Sequence, residues 1–263
     1  MNYTVKPKIV KFFILCFFVI NYFSSLAQDN YEIQVYPSET ISKKSTMFEL
    51  HSNMAFDGFR KSENNTVPTN TMQRETIEIT HGINDWFEIG FYLFNAIGDN
   101  KRTGFVGSHI RPRVKIPDAW HLPVGLSLGG EFGYQNKSYA TDDLTLEIRG
   151  SIDKKWKKWY WAFNAAFDKS LSDINKNKEF EFAPSLKGSY NINEKIALGL
   201  EYYNSAGSLT HFYSYEQQQH LLFAAIDLDW SPKWEFNAGY GIGFTSATEN
   251  KIIKVILGYK LGR

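Results

Sequence analysis

"THGINDWFEIGFYLF", residues 80–94, sets Gly82, Asn84 and Asp85 in front of a stretch in which Glu88 interrupts Phe87, Ile89, Phe91 and Leu93. Read in steps of two, the stretch divides. Phe87, Ile89, Phe91 and Leu93 leave one face, and Trp86, Glu88, Gly90 and Tyr92 the other. Alternate side chains leave opposite faces of a pleat, so this is strand periodicity, with an apolar face and a face that carries an acid.

The division recurs along the chain. Val124, Leu126, Leu128, Phe132 and Tyr134 oppose Gly125, Ser127, Gly129, Glu131 and Gly133; Leu144, Leu146, Ile148 and Ile152 oppose Thr145, Glu147, Arg149, Ser151 and Asp153. Trp159, Trp161, Phe163, Ala165 and Phe167 oppose Tyr160, Asn164 and Asp168, and near the end Ile253, Val255, Leu257, Tyr259 and Leu261 oppose Lys254, Gly258 and Lys260. Each segment has about ten residues, the length with which a tilted strand crosses a hydrocarbon layer. Twelve begin near residues 47, 72, 86, 105, 123, 143, 158, 179, 195, 217, 234 and 251. The pattern predicts an all-β, antiparallel up-and-down transmembrane barrel of about twelve strands, with ten or fourteen as alternatives.

The connections alternate in length. Those at 82–85, 116–122, 154–157, 191–194 and 231–233 are short; those near 57–71, 97–104, 135–142, 169–178, 204–216 and 245–250 are mostly longer and polar. Short periplasmic turns and longer outer loops are the habit of outer-membrane barrels of Gram-negative bacteria, and an even strand count puts both termini in the periplasm. Trp86, Trp120, Trp156, Trp159, Trp161, Trp230 and Trp234 all lie at or near the short turns. Indole rings favour a membrane-water boundary, so these residues are expected to form an interface girdle; ordinary core tryptophan is the competing reading. "HGINDWFEIGF" (81–91) is echoed by "YNINEKIALGL" (190–200), and the Ile-Asn-acid turn suggests a repeated hairpin solution in which Asn takes a positive φ.

The ends and the composition limit the alternatives. Lys6, Lys8 and Lys11, an apolar core from Phe12 to Ile20 and then "SSLAQD" describe a secretory signal peptide, residues 1–27, cut after Ala27. A membrane anchor is the rival, but the run is short of the roughly 20 residues that span a bilayer. The only cysteine, Cys16, falls in this segment, with Leu15 where a lipoprotein signal needs a small residue, so the mature chain forms no disulfide. Cleavage removes three lysines and no acids, leaving 26 basic and 28 acidic residues, a balance that argues against a nucleic-acid partner. Residues 28–46, "QDNYEIQVYPSETISKKST", are assigned to a periplasmic segment, with folding into the lumen as the alternative, and residues 47–263 to the barrel.

Over most of residues 36–263 the chain resembles outer-membrane barrels named for the MetA pathway of phenol degradation, which are presumed transporters. The resemblance rests on "MFELHSN" with Glu49, on "ETIEITHGINDWFEIGF" with Gly82 opening a tight turn and Glu88 in the next strand, and on "VGSHIRPRVKI" followed by "HLPVGLSLGGEFGY". It implies the fold and a transport role, and names no cargo. The terminus "GYKLGR" lacks the final aromatic of barrel-assembly signals, with Tyr259 or Leu261 as substitutes for recognition by the barrel-assembly machinery.

Opposite the apolar stripe lie Glu49, His51, Glu78, Glu88, His109, Arg111, Arg113, Glu131, Glu147, Arg149, Glu181, Lys187, Glu201, Asp227, Glu235 and Lys254. In a barrel this face is the lumen, where mixed charges line a wet path or pair and fill the bore. A soluble sandwich would have to bury these ions in its core, at several kcal/mol each unless paired. The expected function is passive or facilitated passage of a small solute, hydrophobic or carboxylated, without a cofactor. If Arg111, Arg113 and Arg149 cluster without enough carboxylates, anionic solutes are favoured. The alternative is a non-conducting structural or adhesive barrel acting through its outer loops.

A hydrolytic site is the competing class, suggested by "ELHSNMAF" (49–56), but His51 and Ser52 are adjacent in a strand and leave opposite faces. His51, His81, His109, His121, His211 and His220 show no ligand spacing along the chain, so no metal site is expected. Gly239, Gly241 and Gly243 in "GYGIGF" share one strand face and suit close packing better than a nucleotide. Besides outer-membrane lipids, lipopolysaccharide is a candidate partner for the loop residues Arg60, Lys61, Lys101, Arg102, Lys137, Lys176 and Lys178, with simple solvation as the plainer reading.

Overall fold

The structure is a computed structural model that describes residues 31–62, 65–98, 103–173 and 175–262. The expected leader, Lys101 and Arg102 lie outside these residues. Twelve long strands follow in order: β1 (Thr46–Asp57), β2 (Gln73–Asn84), β3 (Phe87–Ile97), β4 (Thr103–Lys115), β5 (Gly125–Gln135), β6 (Leu144–Trp156), β7 (Trp159–Ser170), β8 (Glu181–Asn191), β9 (Ile196–Ser205), β10 (Gln219–Leu228), β11 (Trp234–Gly243) and β12 (Lys251–Leu261). Every strand starts within two residues of the position that the alternation predicts. Each pairs antiparallel with the next, and β1 pairs with β12 from Thr46↔Leu261 to Asp57↔Lys251. The sheet therefore closes into a twelve-stranded barrel with no free edge. A two-residue hairpin, Gly207–Ser208 with His211–Phe212, is added on β8 at Phe182 and Glu181.

Burial is inverted relative to a soluble protein. Phe48, Leu50, Ile77, Phe91, Ile110, Leu128, Phe132, Leu186, Leu198 and Leu200 are exposed on the outside, while His51, Glu78, Glu88, Glu201 and Lys254 are essentially inaccessible. Water would penalise such an exterior; lipid does not, and the backbone of a closed barrel is already fully hydrogen-bonded. The fold is that of a transmembrane barrel of the outer-membrane type.

The short connections gather at one end and the long ones at the other. At Asn84 the Oδ1 accepts a hydrogen bond from the Trp86 amide at 2.9 Å, and at Asn193 the Oδ1 accepts one from the Lys195 amide at 2.8 Å. The echo between the two segments is thus an Asx turn made twice. It does not use the expected positive φ, which neither asparagine adopts. Gly82 does not serve a tight turn either. A Cβ there would meet the Ser42 carbonyl oxygen at 2.4 Å and that of Ile41 at 2.6 Å. Its role is to let another piece of backbone pass.

That piece is the segment before β1, and here the periplasmic assignment is corrected. The described part of the segment, from Tyr31 on, runs inside the barrel. The Tyr31 carbonyl accepts from Asn53 and Thr76, where β1 and β2 approach a long connection; the Ile33 carbonyl accepts from Lys254; the Pro37 and Glu39 carbonyls accept from Arg113. Near the short-turn end the Ile41 amide donates to Glu88, and the Lys44 amide donates to the Gly82 carbonyl before the chain reverses into β1. An extended segment needs partners for its backbone polar groups. The wall supplies them as side chains. Ile33 and Val35 also pack against the inward Ala55, Leu221, Phe223 and Ile252, an apolar patch on a face otherwise read as polar.

Replacing Gly82 by Val should force residues 41–45 off the wall, at about 1–3 kcal/mol for the overpacked contact. Limited proteolysis of the detergent-folded protein should then cut within residues 31–45 faster than in the parent, with the barrel still resistant to SDS at room temperature.

Candidate functional site: the bore and its inner segment

None of the sixteen residues named above is exposed, and the structure divides them into three groups. On β1 to β4, Arg111 donates to Glu78 at 2.6 Å and to Glu88 at 3.2 Å, and also to the Tyr92 hydroxyl. Arg113 donates to Glu88 at 2.8 Å while its other nitrogens hold the inner segment. His51 lies 3.3 Å from Glu78, and Glu49 sits opposite Glu78 in register.

On the far wall, Glu201 is the hub. It pairs with Lys254 and, at 3.1 Å, with Lys187, and accepts from the Tyr203 hydroxyl at 2.7 Å and from Asn237 at 3.1 Å. Lys187 also pairs with Asp227 at 2.7 Å, and Glu235 lies on the next strand, β11, opposite Gly258. The third group is nearer the long connections: His109 with Glu131 at 2.5 Å, Arg149 with Glu147 at 2.6 Å, and Glu181 accepting from the Tyr213 hydroxyl at 2.8 Å.

Tyr36 of the inner segment stands among the arginines. Arg111 lies 4.8 Å, Arg149 4.6 Å and Arg113 5.8 Å from its ring centroid. Its amide donates to Asn164 at 2.7 Å and its carbonyl accepts from the same side chain at 2.8 Å, fixing the segment to β7. The arginines therefore do cluster, but each is already ion-paired, so the condition set for an anionic preference is not met.

The segment divides the free space. A vestibule of about 1360 Å³ opens at the short-turn end, lined among others by Lys115, Asp118 and Lys233 and reaching inward to Glu201 and Lys254. A smaller cavity of about 240 Å³ lies towards the long connections, bordered by Phe59, Tyr139, Asp142 and Glu32. Tyr36 with Arg111, Arg113 and Arg149 stands between the two, beside a gap of about 10 Å³ that also borders Gly129, Gly130 and Ser151. The glycines of β11 belong to the same packing: a Cβ on Gly241 would stand 2.5 Å from the Phe223 ring, and one on Gly239 3.3 Å from Lys254 Cε.

The seven tryptophans lie at the short-turn end and all are exposed. Strand parity grouped Trp86 with Glu88, but Trp86 lies in the turn before β3 and is exposed while Glu88 is buried. His51 and Ser52 do leave opposite faces, and Ser52 donates to Glu75 at 2.6 Å on its own side. His121 and His211 are exposed at connections, His81 accepts or donates to Thr46 at 2.8 Å, and His220 meets the Tyr202 hydroxyl at 2.6 Å. Among the described residues, Glu49, His51 and Glu78 are brought together with ligand atoms within 4.8 Å of one another. Spacing along the chain could not show this, because the partners come from adjacent strands. At the other end, the Ser172 hydroxyl and the Lys137 ammonium hold the Asp143 carboxyl below its usual range and tie two long connections together.

The residues that sequence reading missed are those of the inner segment. A signal was present: in "YEIQV", Tyr31, Ile33 and Val35 alternate with polar residues and are the buried ones.

A closed barrel with a charged, partly filled bore defines the architecture, and comparison with solved structures places it. The chain is similar to the "KdgM porin", with TM-score 0.55 at 9% identity over 82% of this chain and 99% of that one. The "KdgM porin in complex with disordered oligogalacturonate" gives 0.53 at 9% over 83% and 99%, and the NanC porin 0.52 at 8% over 81% and 100%. At these identities the likeness is one of fold. No protein-family profile matches the chain, and no curated protein does.

Replacing Glu201 by Ala leaves Lys254 and Lys187 in the wall without their shared acid, and should cost about 3–5 kcal/mol. Urea unfolding of the refolded barrel, followed by tryptophan fluorescence, should show that loss. The Glu201→Leu, Lys254→Met pair should recover much of it, because an apolar pair removes both buried charges.

Proposed function

We propose that the protein is an outer-membrane channel of the porin type that passes a small solute down its gradient, with residues 31–45 forming its constriction. The observation that carries this reading is the vestibule of about 1360 Å³, which enters from the short-turn end and reaches Glu201 and Lys254 in the wall of the bore. Mixed paired charges lining a wet entrance suit a polar or amphipathic solute and exclude none by sign. The likeness to porins supports the fold of such a channel. The oligogalacturonate belongs to the KdgM complex. Here the paired arginines speak against a carboxylate-selective constriction. The resemblance of the sequence to MetA-pathway barrels, which no family profile supports, implies the same transporter reading.

In this reading the tryptophans form the girdle at the periplasmic surface, the long connections face outwards beside lipopolysaccharide, and the C-terminus is periplasmic. Tyr31 then lies in the bore, which changes the expectation for the N-terminal side of the chain. One observation favours a second reading, a non-conducting barrel: Tyr36 of the inner segment stands among three arginines and is clasped to β7 by Asn164.

Liposome swelling with graded sugars and small acids, together with planar-bilayer recording, separates the two. The protein lacking residues 31–41 should conduct several-fold more than the intact chain. Replacing Arg111 and Arg113 by Ala should also raise conductance, because Arg113 holds the Pro37 and Glu39 carbonyls. Conductance unchanged in the double variant and no flux after truncation would leave the structural reading.

A further inference from the structure

We infer that Glu49, His51 and Glu78 form a binding site for a first-row divalent cation of the zinc type in the wall of the vestibule. The three come from neighbouring strands: Glu49 and Glu78 face each other across β1 and β2, and His51 follows two residues along β1 on the same face. Their ligand atoms lie within 4.8 Å of one another.

Two features point to a ligand and not to a finished ion pair. His51 is fully buried, yet neither ring nitrogen makes a hydrogen bond, although Nε2 stands 3.3 Å from Glu78 Oε2. Glu78 is held from behind, its Oε1 accepting from Arg111 at 2.6 Å and from Thr80 at 2.6 Å, while its Oε2 is buried with no hydrogen bond. A buried imidazole and a buried carboxylate oxygen thus aim at one point without satisfying each other, which is costly unless something occupies it. Arg111 and Thr80 act on Glu78 as outer partners act on a metal-bound carboxylate, fixing one oxygen so that the other is presented.

The charge balance agrees. Glu49 and Glu235 have no ion-pair partner among the described residues, and they flank Gly258, beside which a Cβ would meet Glu49 Cγ at 3.1 Å and Glu235 Cβ at 3.2 Å. Glu49, Glu78 and Glu235 line the vestibule, so an ion can enter from water and keep a water as its fourth ligand. An imidazole with two carboxylates selects a borderline ion over magnesium or calcium.

The test uses the full mature barrel refolded in detergent and freed of metal with a chelator, and does not depend on conduction, so it fails separately from the channel reading. Titration with Co²⁺ should give saturable visible bands of tetrahedral type at one equivalent, displaced by Zn²⁺ and not by Mg²⁺ or Ca²⁺. Glu49→Gln, nearly isosteric, and His51→Ala should each weaken binding by about tenfold or more. SDS resistance at room temperature establishes that both variants are folded. Binding unchanged in both folded variants would assign the ion to surface histidines and overturn the site. So would the absence of saturable Co²⁺ binding, or displacement by Ca²⁺ as effective as that by Zn²⁺.

Discussion

Lysine 254 donates to the Ile33 carbonyl and to Glu201 from a position with no exposure, and much of the structure is arranged around contacts of this kind. A barrel in lipid cannot place charge on its outer face cheaply, so the charges go inward. Inside, each must find a partner, because an unpaired buried ion costs several kcal/mol. The wall solves this partly by itself, through Arg111 with Glu78 and Glu88 and Lys187 with Asp227. The rest is solved by bringing in a length of chain whose carbonyls and amides answer the remaining side chains.

The same requirement explains details that look unrelated. Gly82 is small because backbone crosses it, Gly239 and Gly241 because Lys254 and Phe223 lean across them, and Leu221 and Ile252 are apolar on a polar face because Ile33 and Val35 rest there. Each is a consequence of one decision, that the bore of a twelve-stranded barrel is wide enough to hold an extended strand as well as side chains. At Glu49, His51 and Glu78 that pairing is left incomplete.

The proposed function rests on which part of the bore remains open. The inner segment leaves a wide entrance at one end and a small cavity at the other, separated by Tyr36 and three arginines. In the proposed channel the inner segment is held by contacts of moderate strength, such as the Arg113 bonds to two carbonyls and the Asn164 clasp on Tyr36. These are side-chain hydrogen bonds of the order of 1–3 kcal/mol each, weaker together than the strand ladders around them.

The sequence by itself determined the barrel class, the face of each strand that meets lipid and the end at which the short turns lie, with twelve strands favoured over ten or fourteen. These depend on alternation and turn chemistry, which are local, and on the rule that one face must suit lipid. Phe87, Glu88 and Ile89 already state that rule in three residues. Only the tertiary structure decided what fills the bore. The partners of Tyr36 are 128 residues away at Asn164, and those of Ile33 are 221 away at Lys254, so no local period could announce them. For the same reason His51 appeared as an isolated histidine. Pairing β1 with β2 set Glu78 beside it, and pairing is a property of the closed sheet.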